Sequence, residues 1–505
     1  MQYMNPVIPG FHPDPSICRV GEDYYLVSSS FHYFPGVPIF HSRDLIHWQQ
    51  IGHCLDRKEQ INLARIPSSY GIFAPTLRHI KGYFYMITTN VRRIEGGNFY
   101  VRALKPSGPW SEPVWLDWPG IDPSLFCDED GKVYITGTND FEGEEAGIYQ
   151  AEIDLESGRL LSTRRLIWKG TGGKSPEGPH LYVIQGEYYL MISEGGTEYG
   201  HMVTIARSSQ LYGPFEADPE NPILSHRSLS CSVQATGHAD LVQAHDGSWW
   251  AVCLGIRPVS RKHHLGRETF LAPVQWSEEG WPVIGTKGSI DLQMAAPAFM
   301  SAESAIPVTR EHFSEQKLSD NWNFIRNPYS ADWSLTERPG WLTLRGSRLT
   351  LDDPDSPAFV GRRQQHMECT VSSLIEFDPA LEGDEAGLTV IMDERFHYEI
   401  ALAFKNGRKV VLLRRRLGTL SNIEAEVEYT SQSIILEVEA DPKLYTFAFY
   451  VPNGERIILG QGECGLLSSE VAGGFTGVYF GLYATGNGKN AGSPAYIDWF
   501  DYNAR

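Results

Sequence analysis

Three carboxylates in this chain are held stiffly. Asp14 stands between two prolines in PGFHPDPSIC (9–18), Asp122 precedes a proline in DPSLF, and Glu177 opens EGPHLY. Proline fixes φ and removes a backbone donor, so an acid beside it rides on an extended or turning segment and not on a helix. A lone acid of this kind usually organises its own turn. Three of them brought to one place would repel one another and cost stability. Carboxyl groups that push a neighbour's pKa upward are, however, what acid–base chemistry uses.

A repeat predicts that they are brought together. DPSICRVGEDYYLVSSS begins at Asp14, APTLRHIKGYFYMITTN at Ala74, DPSLFCDEDGKVYITGT at Asp122, EGPHLYVIQGEYYLMISEGG at Glu177 and HADLVQAHDGSWWAVCLG at His238. Each has a small or polar head, an apolar residue three or four positions on, a turn with Gly or Asp, and an aromatic strand. The intervals of 60, 48, 55 and 61 residues are near the size of a four-stranded propeller blade. Equivalent strands of every blade face the central channel. The heads are therefore expected at one mouth of it, with Asp14, Asp122 and Glu177 at the same repeat phase.

Helical periodicity is scarce along the whole chain, and short segments rich in Val, Ile, Tyr, Phe and Trp are broken by Gly, Pro, Asn and Asp. The fold class is all-β: a five-bladed β-propeller over 1–292, a linker over 293–310 within the Ala-, Pro- and Ser-rich stretch DLQMAAPAFMSAESAIPVTREHF, and a C-terminal β-sandwich over 311–505. Segments such as MECTVSSLIEF and HYEIALAF alternate as half-buried antiparallel strands do. The acid run DDPD (352–355) reads as a solvated loop before it reads as a calcium site.

The net charge of −19 argues against nucleic acid, an anionic membrane or a polyanionic substrate, and favours a neutral small molecule. No apolar stretch approaches the roughly 20 residues of a membrane helix. The start, MQYMNPVIPGFHPDP, lacks a basic region followed by an apolar run, which gives a cytoplasmic expectation. Seven scattered cysteines with no CxxC pair read as free buried thiols. GTGGKS (170–175) imitates a phosphate loop, but Trp168 occupies the position of its first glycine. A homo-oligomeric state is left open.

The ordered motifs NPVIPGFHPDPSI, FPGVPIFHSRDLIHW, GIFAPTL, DPSLF, EGPHLY, GHADLV and LGRETF resemble glycoside hydrolase family 43, in its β-xylosidase and α-L-arabinofuranosidase branch. The resemblance covers nearly all of 5–290 and, more loosely, 311–505. It implies an inverting exo-hydrolase of xylo-oligosaccharides or arabinoxylan-derived oligosaccharides, built on a five-bladed propeller. It implies Asp14 as general base, Glu177 as general acid, and Asp122 as the carboxylate that orients the acid and holds its pKa up. It also implies Arg267 in LGRETF as a substrate contact, Phe31 in SSSFHYF as an aromatic wall, and His238 on the channel axis, near which some relatives hold calcium. Phe475 in GGFTGVY corresponds to an aromatic lent to the pocket rim by the second domain. Where several relatives carry GIWAP this chain has GIFAP, which puts Phe73 in place of a larger stacking ring and leaves the sugar preference open.

The chemistry suits the residues. Glycoside hydrolysis needs an acid at the leaving oxygen and a base for water, and in an inverting enzyme the two carboxyls stand roughly 6.5–9.5 Å apart. An arginine within the apolar run HHLGRETFLAPV either pairs with carboxylates or grips hydroxyls. His12 and His238 are expected in support, and Phe31 and Phe73 against sugar. No cofactor is required; a calcium near His238, if bound, would be ligated mostly by water, because that ion prefers oxygen. The rivals are an α-L-arabinofuranosidase, alone or combined with xylosidase activity, and a non-catalytic propeller lectin.

Overall fold

A computed structural model describes residues 1–92, 96–139, 144–301, 310–451 and 454–505. Five antiparallel sheets of four or five strands follow one another along the first part of the chain. Their innermost strands are Ser16–Val20, Thr76–Ile80, Ile121–Cys127, Glu177–Ile184 and Gln234–Gln243. Each touches the next, and the last touches the first, so the sheets close into a ring of five blades. Closure removes the exposed sheet edge that an open array would leave.

The second strand of each blade lies between two neighbours and is buried on both faces, as in Val133–Asn139 and Tyr83–Val91. That is why these strands read as nearly continuous apolar runs. The blades are glued pairwise. Ile80, Ile87 and Trp118 of blade 2 pack on Leu125, Val133 and Ile135 of blade 3. Phe126 and Ile148 of blade 3 pack on Leu190 and Ile192 of blade 4.

The chain start ties the ring. Ile8 bridges Thr269 in blade 5, and Gln2–Met4 pairs antiparallel with Gln293–Ala295. Ala296 still donates its N–H to Met1 O. The linker expected from 293 therefore begins after Ala296, because residues 293–295 find a strand partner at the amino end. Residues 302–309 of the expected linker lie outside the described residues.

The second domain is a sandwich of an eight-stranded and a six-stranded sheet. Cys369–Glu376 alternates buried and half-buried residues without a break, as a strand with one face on a core does. The sandwich is bolted to the propeller. Phe324–Ile325 pairs with Tyr33–Phe34 of blade 1, and Tyr33 stacks on Tyr479 with ring centroids 3.9 Å apart. Arg363 Nε donates to Phe11 O at 2.8 Å, and the fully buried Arg326 donates to Ile66 O at 2.6 Å.

Two expectations are corrected here. The DDPD loop is not simply solvated, since Asp355 pairs with Arg65 of the propeller at 3.2 Å and Asp352 approaches His397 at 3.3 Å. All seven cysteines are free, but Cys127 and Cys231 are exposed, because one ends its strand at the surface and the other lies in a surface turn.

Candidate active site

One mouth of the channel opens into a pocket lined by Asp14, Phe31, Phe73, Ala74, Ile121, Asp122, Glu177, Thr197, His238, Arg267 and Phe475. All eight of the site residues expected from the sequence face it. Its cavity of about 150 Å³ offers on the order of ten water-sized positions at roughly 10–15 Å³ each, about the ten heavy atoms of one pentose.

The heads reach the pocket through a shared local conformation. Asp14 (φ 54°), Asp122 (φ 53°), Gly178 (φ 58°) and His238 (φ 46°) all lie in the left-handed region. In blades 3, 4 and 5 the pairing of the first two strands skips two residues at that point, 122–123, 178–179 and 238–239. A bulge of this kind re-aims a side chain beside a site. It also corrects the expected phase. Gly178, and not Glu177, is the equivalent of Asp14 and Asp122; Glu177 sits one residue earlier, in the place of Ile121 in blade 3. Aligning the repeats on the proline of Asp14-Pro15, Asp122-Pro123 and Gly178-Pro179 would have exposed the offset.

Asp14 is 5% exposed and held from two sides. Arg267 Nη1 donates to its Oδ1 at 2.8 Å and Ser29 Oγ donates to its Oδ2. Burial alone would raise its pKa, but the Arg267 guanidinium, then His238 at 4.0 Å and the Ser29 hydrogen bond, outweigh burial and hold the carboxyl below its ordinary value. Asp122 goes the other way. Burial leads, and although His238 opposes it, the charges of Glu177 and Asp14 add to it, so this carboxyl is pushed up to about 7. Its Oδ2 accepts the N–H of Gly178 at 3.1 Å, which ties it to the segment bearing Glu177. Burial and the neighbouring charges thus let Asp122 retain a proton toward neutrality.

Arg267 lies beside two rings that touch each other, 5.6 Å from the centroid of Phe31 and 5.7 Å from that of Phe475. Flat guanidinium over aromatic faces is favourable, the more so when desolvated. Phe31 also meets Phe73 at 5.1 Å, so three phenylalanines wall one side. Phe31 is fixed by reciprocal backbone bonds with Ile72, and this approach requires a glycine at 71, where a Cβ would fall 2.4 Å from Phe31 O. Phe475 comes from the sandwich and is 40% exposed at the rim. Its N–H donates to Ser69 Oγ of the propeller at 2.9 Å.

His12 does not line the pocket. It is buried, and burial together with Arg363 keeps its pKa well below the ordinary value, so it is a neutral packing partner of Phe40. Sequence reasoning missed Thr197, whose Oγ1 accepts from Arg267 at 3.1 Å, and His201, whose Nε2 lies 3.6 Å from Glu177 Oε1. Both sit in the turn after a repeat strand, where no local pattern marks them. For a cation, His238 and Asp14 are the near donors, and among the described residues no group of three or more His, Cys, Asp or Glu gathers to hold a metal. No step below runs through a calcium ion.

Comparison with known proteins finds relatives over both domains. The profile of glycosyl hydrolases family 43 matches residues 3–282, and that of the beta xylosidase C-terminal concanavalin A-like domain matches 310–503. A non-reducing end alpha-L-arabinofuranosidase of Bacteroides ovatus is 45% identical over 99% of this chain and 94% of its own length. A xylosidase/arabinosidase of Butyrivibrio fibrisolvens is 41% identical over 98% of both chains. The crystal structure of a xylan beta-1,4-xylosidase from Bacillus halodurans superposes with a TM-score of 0.95 at 33% identity, covering 99% of this chain and 100% of that one.

Proposed function

The chain belongs to glycosyl hydrolases family 43, and from that membership we propose that it is an inverting, exo-acting hydrolase that removes terminal β-D-xylose from xylo-oligosaccharides. The observation that carries the reading is the pentose-sized pocket lined by three carboxyls, Asp14, Asp122 and Glu177, with Arg267 paired to Asp14. A pocket with room for about one pentose favours chain ends over the middle of a polymer.

In the proposed mechanism Asp14, kept ionised by Arg267, takes a proton from water as the water oxygen attacks the anomeric carbon. The glycosidic C–O bond breaks with its electron pair going to the leaving oxygen, which takes the proton of Glu177. The pentose departs as a hemiacetal of inverted configuration. The raised pKa of Asp122, to which the charge of Glu177 contributes, keeps a proton in the site toward neutral pH. Phe31, Phe73 and Phe475 would shape the sugar face, and Arg267 would grip a hydroxyl while aiming Asp14.

A second reading has its own support. The Bacteroides ovatus relative is named an arabinofuranosidase and the Butyrivibrio relative carries both names. Terminal α-L-arabinofuranose, alone or beside xylose, is therefore the alternative substrate. Rates on 4-nitrophenyl β-D-xylopyranoside and α-L-arabinofuranoside, with proton NMR of the first-released anomer, separate the readings. Protein that binds xylo-oligosaccharides yet releases no sugar from them or from either aryl glycoside would be a lectin.

A further inference from the structure

GTGGKS (170–175), the imitation of a phosphate loop, does wrap an anion, and the anion is internal. Glu194 is the last residue of Glu187–Glu194 in blade 4 and is fully buried. Its Oε1 accepts from the backbone N–H of Thr171 at 3.0 Å and of Gly173 at 2.8 Å. Its Oε2 accepts from Thr171 N at 3.0 Å, Thr171 Oγ1 at 2.9 Å and Thr204 Oγ1 at 2.7 Å. Backbone N–H groups folded round an anion in this way form a nest. The glycines are needed because the loop touches the carboxylate. A Cβ at Gly170 would fall 2.6 Å from Glu194 Oε1, and one at Gly173 would fall 2.9 Å from Glu194 Cβ.

The loop leads straight to the acid. Lys174 O accepts from Gly195 N at 2.7 Å, and Pro176 O accepts from Thr138 Oγ1 at 2.8 Å. The next residue, Glu177, pairs with Ser193, the immediate neighbour of Glu194. The same strand end thus clamps the loop and sets the register of Glu177. We propose that Glu194 is a positioning residue for the proton donor: its carboxylate fixes the 170–176 loop and so the reach of Glu177 to the leaving oxygen. This rests on the reading of Glu177 as the acid.

A scaffold role would lower all rates alike, whereas a role in aiming the acid falls on substrates that need protonation. The test compares xylobiose, a poor leaving group, with 2,4-dinitrophenyl β-D-xyloside, a good one. Misplacement by about 1 Å can cost on the order of 100-fold. Glu194→Ala is therefore expected to lose about 100-fold in kcat/KM on xylobiose and to stay near wild type on the aryl xyloside. Thr171→Val deletes one donor at the surface and should show the same asymmetry at smaller size. Glu194→Gln, which keeps the shape and one acceptor, should recover much of the loss. Where Glu194→Ala fails to fold, the other two variants decide the matter. Equal losses on both substrates would overturn the proposal. Glu177→Ala in parallel separates the two inferences. If it is asymmetric and the Glu194 and Thr171 variants are not, only the positioning role falls; if it is not asymmetric, the reading of Glu177 as the acid falls.

Discussion

Asp122→Asn should make this protein more stable at alkaline pH and less active. Asp122 is buried, and its pKa rises from an ordinary 3.8 to about 7. The folded chain therefore binds this proton more tightly than the unfolded chain does. Between about pH 4 and pH 7 it holds a proton that the unfolded chain has released, so stability falls as pH rises through that window. Above it, the folded state carries a buried charge at a cost of about 4 kcal/mol, at about 1.36 kcal/mol for each tenfold change in proton affinity. Asparagine has the same shape, keeps an oxygen for the Gly178 N–H, and has no such cost. Melting temperatures of the two proteins should coincide at pH 4 and diverge toward pH 8 in favour of the variant. The alkaline limb of kcat/KM should move down by about one pH unit, because the like charge that retains the shared proton is gone. A variant equally or less stable at pH 8, with wild type and variant parallel across the range, would refute the reasoning. Asp122 would then not be the carboxyl that burial penalises.

Arg267→Met removes the cation that offsets the burial of Asp14, so the acid limb of kcat/KM should move to higher pH, opposite in sense to the effect at Asp122. An unmoved acid limb in the pH–rate profile would detach Arg267 from the base. Phe475→Ala opens the rim without touching an acid, and a rise in KM of about tenfold with little change in kcat is expected, consistent with roughly 1–2 kcal/mol for a half-buried ring. A fall in kcat alone would place Phe475 outside the binding wall.

Much of the fold was legible because it is written locally. Asp-Pro heads, Gly and Asp turns and aromatic strands recur at blade spacing, and each blade buries the same strand on both faces, so the repeat carries the architecture. The candidate acids were legible for the same reason. Asp14 and Asp122 stand at a left-handed backbone position that a following proline marks in the sequence. What the sequence left undecided are properties of distance and of water. The register of Glu177 depends on where the bulge falls against Glu187–Glu194, and no residue type fixes that in advance. Which carboxyl keeps a proton depends on desolvation and on Arg267, which reaches Asp14 across 253 residues of chain. The Phe475 rim exists only because the sandwich docks on blade 1 and a backbone N–H meets Ser69, 406 positions away. Local pattern determined that there are blades, turns and acids; only the closed ring and the docked second domain, by excluding water and bringing distant groups within 3 Å, decided what each acid can do.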